Sequence, residues 1–151
     1  NGFQWFALST MSIEERLTGT LKAAPILDHF IDQELARYGL ENKDLILIGF
    51  SQGTMMSLHV GLRRSSDIGA IIGFSGAMTL PEHWQDEINS RPPVILIHGD
   101  RDDVVPLQLM EEAQEALQSA NIHVDCYVSP GITHSIGPDG LQKALEFLTD
   151  L

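Results

Sequence analysis

Three residue types that together perform acyl transfer stand just past apolar runs of this chain. Ser51 lies in Gly49-Phe50-Ser51-Gln52-Gly53, directly after Leu45-Ile46-Leu47-Ile48. A carboxylate cluster, Asp100, Asp102 and Asp103, follows Val94-Ile95-Leu96-Ile97-His98. His134 closes Pro130-Gly131-Ile132-Thr133-His134, which follows the apolar stretch 122–128. A serine hydroxyl is a poor nucleophile until a base takes its proton. The base in turn needs an acid to fix its tautomer and stabilise its charged form. Gly-x-Ser-x-Gly between a buried strand and a helix supplies a sharp turn, with glycines flanking a strained serine. Ser51 Oγ is expected to project above a helix N-terminus whose free N–H groups suit a developing oxyanion.

Those residues need a frame, and the apolar pattern supplies one. Residues 1–11 read as a loop with an aromatic cluster. A capping-box pattern at Ser12-Ile13-Glu14-Glu15 opens a helix whose apolar positions are Leu17, Leu21, Ala24, Leu27, Ile31 and Leu35. Pro25 is expected to kink or restart it, and Gly39 to end it. Strands are expected over 45–50, 68–74, 94–98 and 122–128, the first of them buried on both faces. Helices are expected over 52–64, 81–88, 107–118 and 141–151. Strands alternating with helices specify a parallel α/β sheet with right-handed crossovers. In such sheets ligands sit beyond the carboxyl ends of the strands. Ser51, the aspartates and His134 all fall there, in the chain order serine, acid, histidine.

Other readings compete. Spacing alone does not choose among Asp100, Asp102 and Asp103. His98 ends a strand and is expected to bond nearby backbone. His29, His59, His83 and His123 fall within helix or strand patterns and read as surface or packing residues. A metal site through His98, Asp100, Asp102 and His134 has no ligand-pair spacing behind it. Cys126 reads as a small core residue.

Composition sets outer bounds. The 151 residues suffice for one domain, 1–151, burying roughly 68–70% of the unfolded surface. A net charge of −12 argues against nucleic-acid and anionic-membrane partners. One cysteine excludes an internal disulfide and fits a reducing cytoplasm. No apolar run reaches transmembrane length, and no signal-peptide pattern precedes the first element.

Gly-Phe-Ser-Gln-Gly before a Met-rich helix, His98-Gly99-Asp100-x-Asp102-x-Val104-Val105-Pro106 and Pro130-Gly131-x-x-His134 together resemble the phospholipase/carboxylesterase family of α/β-hydrolases. That family includes bacterial carboxylesterases and acyl-protein thioesterases. Gln4-Trp5-Phe6 is similar to the family's aromatic segment, so the resemblance covers essentially the whole chain. It implies an α/β-hydrolase fold and a hydrolase of carboxylic esters or thioesters. Ser51 would be its nucleophile, His134 its base and Asp102 its acid. Gln52 would give one oxyanion-hole N–H, and Trp5, Ser75 and Met78 would line an acyl pocket. No cofactor is implied. Thr133 departs from the glycine that often precedes the histidine in relatives.

A larger departure lies at the N-terminus. Family members carry further strands, and a His-Gly loop with the second oxyanion donor, before the point where this chain begins. Asn1 is not a methionine. The expectation is therefore the C-terminal part of a longer protein, or a chain completed by another, with intrinsic activity in doubt. Its first strand would be a bare edge. The competing expectation is a non-catalytic module that associates, as a homo-oligomer, through that edge.

Overall fold

The computed structural model describes residues 3–151; Asn1 and Gly2, at the start of the expected N-terminal loop, lie outside the described residues. Four strands form one parallel sheet: β1 (Ile46–Phe50), β2 (Ala70–Phe74), β3 (Val94–Gly99) and β4 (Val124–Ser129). Their order across the sheet is their order in the chain, with Ile48 opposite Ile72, Ile72 opposite Ile95 and Ile95 opposite Asp125. The helices are α1 (Ile13–Tyr38), α2 (Gln52–Gly61), α3 (Gln108–Ser119) and α4 (Pro138–Thr149).

Alternation of side chains along each strand divides the core between two faces. On one face, Ile71, Val94 and Leu96 pack beneath Leu58 and Leu62, at the end of α2, and Met110 and Leu117 of α3. On the other, Ile72, Phe74, Ile95 and Ile97 meet Ala144, Phe147 and Leu148 of α4. Helix α1 forms an outer layer on α2, with Ala23 and Ile31 against Met55, Met56 and Val60. No helix among the described residues is long and apolar enough to cross a membrane.

Several expectations are corrected by these contacts. Strand β1 is not buried on both faces: Ile46, Ile48 and Phe50 are 40, 63 and 37% exposed. Among the described residues it pairs only with β2, and α4 covers β3 and β4 instead. Helix α1 runs through Pro25 without a break. Pro25 and Leu21, whose carbonyl loses its N–H partner there, both lie on the exposed side, where water can satisfy the oxygen. Ser12 caps α1 by accepting from Glu15 N–H at 3.2 Å. The Glu15 carboxylate, however, reaches past Ser12 to accept from the N–H groups of Ser9 and Thr10 at 3.1 and 2.8 Å. Gly39 ends the helix in the left-handed region at φ 66°, and Leu40 N–H closes the turn on Leu35. The expected helix over 81–88 is a single 3-10 turn, Trp84–Glu87.

Candidate active site

Ser51 sits between the last residue of β1 and the first of α2, at φ 54° and ψ −115°. A serine in that region carries ~1–3 kcal/mol of strain, and it persists only where its surroundings over-determine it. Here Ser51 N–H donates to Phe74 O at 2.9 Å, and Ser51 O accepts from Thr54 and Met55. The Thr54 hydroxyl donates to the same Phe74 carbonyl at 2.8 Å. A Cβ on Gly49 would collide with the backbone of Gly53 and Thr54, so glycine lets α2 start close above β1. Gly53 differs from the expectation, since a Cβ there would meet nothing within 4 Å.

The three aspartates separate cleanly. The Asp102 side chain is fully buried; its Oδ1 accepts from Val104 and Val105 N–H at 3.0 and 2.8 Å, and its Oδ2 lies 2.9 Å from His134 Nδ1. Burial pulls its carboxyl upward, but the bonds from His134, Val105 and Val104 outweigh that and hold it below the usual range. Asp100 instead accepts from Gly131 N–H at 2.6 Å, fastening the histidine loop to the acid loop. Asp103 is exposed. A Cβ on Gly99 would strike the backbone of Ile132 and Thr133, so that glycine allows the two loops to touch.

With Nδ1 turned to a carboxylate, His134 donates there and its Nε2 is left with a lone pair. The ring lies 4.8 Å from that of Phe50, centroid to centroid, at 42°. Ser51 lies next in the chain to that phenylalanine. No hydrogen bond of normal geometry joins Ser51 Oγ to His134 among the described residues; such bonds commonly tighten only when substrate arrives. His98, 1% exposed, donates from Nε2 to Val105 O at 2.7 Å and supports the acid loop from below. That matches its expected backbone role. No three His, Cys, Asp or Glu side chains are arranged to hold a metal ion among the described residues. Burial, and then Asp125, raises the Cys126 thiol to about 11, so it is protonated at neutral pH.

Gln52 does more than sequence spacing gives it. Among the described residues its backbone N–H, at the start of α2, donates to no backbone carbonyl. Its side-chain amide accepts from Trp5 N–H at 3.0 Å and donates to Phe6 O at 2.7 Å. The aromatic segment is thereby clamped to the residue after Ser51. Of the three expected acyl-pocket residues, Trp5 lines a groove of about 480 Å³ shared with Phe6 and α1. Ser75 is 1% exposed, and Met78 packs against the core under α2 and α3. Neither opens onto that groove.

Known proteins frame this geometry. The family model described as Phospholipase/Carboxylesterase matches residues 1–151. An acyl-protein thioesterase 1 of Gibberella zeae is 29% identical, over 95% of this chain and 66% of its own length. One from Saccharomyces cerevisiae is 30% identical, over 86% of this chain and 59% of its own. The chain thus spans less than two thirds of the length of these curated relatives. Among solved structures, esterase PE8 superposes with a TM-score of 0.94 at 44% identity, covering 99% of this chain and 70% of that one. Arabidopsis thaliana SOBER1 gives 0.86 at 22% identity, covering 97% and 72%, a likeness of fold. A parallel sheet that turns at a strained serine, and a family match along its entire length, make this chain a member of the phospholipase/carboxylesterase family with the α/β-hydrolase fold.

Proposed function

We propose that this chain carries the catalytic residues of a serine hydrolase acting on carboxylic esters or thioesters. Ser51 Oγ attacks the acyl carbon while His134 Nε2 takes its proton. Asp102 holds the imidazole in the required tautomer and stabilises its charged form. The Gln52 N–H donates a hydrogen bond to the developing oxyanion. Collapse expels the alcohol or thiol, which leaves with the proton from His134. Water then repeats the sequence on the acyl-enzyme and releases a carboxylate. The observation that carries this reading is the buried Asp102 carboxylate 2.9 Å from His134 Nδ1, on a loop beyond the same sheet edge as the strained Ser51.

The experiment is hydrolysis of a short-chain nitrophenyl ester by the chain and by its Ser51→Ala variant, with labelling by a fluorophosphonate. Turnover or stoichiometric labelling that Ser51→Ala abolishes is expected, unchanged by a chelator. Labelling that persists in Ser51→Ala would overturn the assignment.

A second reading has its own observation. Among the described residues strand β1 pairs only with β2, and its own Ile48 is 63% exposed, which suits association through the sheet edge. Sedimentation that shifts with concentration, without any serine labelling, would favour that reading.

A further inference from the structure

A second polar site lies on the outer side of the acid loop. Arg16, in the first turn of α1, is only 7% exposed. Its Nε is buried without a partner, and no hydrogen bond or ion pair among the described residues engages its guanidinium. Burial lowers its proton affinity, and only Glu112 counteracts that. An arginine stays charged under any such pull, so this is a desolvated cation that feels the Glu112 charge but forms no ion pair among the described residues. It lines a cavity of about 310 Å³ whose other walls include Met11, Val104, Pro106 and Leu109. Val104 belongs to the loop that Asp102 holds through backbone N–H groups.

We infer that this cavity binds an aliphatic monocarboxylate, its head on Arg16 and its tail along Met11, Val104, Pro106 and Leu109. The planar guanidinium fork matches a carboxylate in two-point fashion. Glu112 at the rim, its carboxylate accepting from Gln108, opposes a second negative charge in the head group. The net charge of −12 likewise repels polyanions. Apolar walls select a hydrocarbon chain over a small polar acid. Aliphatic carboxylates are what the proposed hydrolysis releases, so on that reading the cavity is a product site that touches the acid loop.

Octanoate binding to the Ser51→Ala protein, followed by calorimetry, tests this without turnover and so stands apart from the catalytic assignment. Octanoate is expected to bind, with octan-1-ol and inorganic phosphate each at least tenfold weaker. Arg16→Gln is expected to weaken octanoate at least tenfold while leaving the circular dichroism spectrum unchanged. Glu112→Gln is expected to tighten it several-fold, and decides the matter if Arg16→Gln fails to fold. Binding of octan-1-ol as tight as octanoate, octanoate affinity untouched by Arg16→Gln, or no response to Glu112→Gln would overturn the inference.

Discussion

Asp100, Asp102 and Asp103 share a side-chain type and a loop, yet only Asp102 is enclosed and faces a histidine. Spacing could not separate them, because the choice depends on where residues 130–134 land, and that depends on a close approach at Gly99. The family resemblance, rather than the pattern of types, singled out Asp102. If it orients His134, Asp102→Asn will reduce ester turnover or fluorophosphonate labelling by roughly 10³–10⁴-fold, while Asp103→Asn leaves both unchanged. His59 makes a separate prediction. It is buried in α2, and that burial, followed by the Arg63 charge, lowers it from 6.5 to about 4. Its folded form therefore resists protonation that the unfolded chain accepts. Stability is full above pH 6.5 and falls as pH drops toward 4, by ~2–3 kcal/mol from this residue. Denaturant melts across that interval should show the loss, and His59→Gln should flatten it.

Most elements were legible because apolar runs of strand length alternate with helical spacing, and the observed ends differ by only a few residues. Misreadings arose where the neighbours decide. Pro25 signals a break, but it sits on the outer side of a helix that Ala23 and Ile31 pin to α2. The turn at Ser51 shows how uneven a symmetric motif can be. Gly49 faces the backbone of Gly53 and Thr54, whereas Gly53 faces open space in the first turn of α2. Gly49→Ala is therefore expected to cost several kcal/mol or abolish folding. Gly53→Ala is expected to stabilise the chain by ~0.5–1 kcal/mol, through the better helix propensity of alanine. Thermal melts of the two variants would show opposite signs.

At the scale of the sheet, β1 and β4 are both outer strands among the described residues, and β1 also exposes Ile46, Ile48 and Phe50 on one face. The apolar run at 45–50 promised burial, but burial belongs to a strand's neighbours, which no local pattern encodes. Leu141 and Leu145 of α4, 51 and 59% exposed, stand on the flank of that helix away from Lys143. Lys143 lies over Tyr127 of β4, on the other flank. Exposed apolar side chains on an outer strand favour association. Concentration-dependent sedimentation is expected for the chain, and Ile48→Lys should suppress it without lowering the melting temperature.

The match between chain order and sheet order also governs assembly in time. Each new strand can add to an edge already formed, with no later strand threaded between earlier ones. During synthesis Ser51 emerges first and His134 roughly eighty residues later, an interval on the order of 5–15 s at translation rates. Through that interval the chain holds Ser51 without His134. On the proposed mechanism, a nascent chain folding this way stays silent toward acyl compounds until the loop after β4 brings His134 to Asp102.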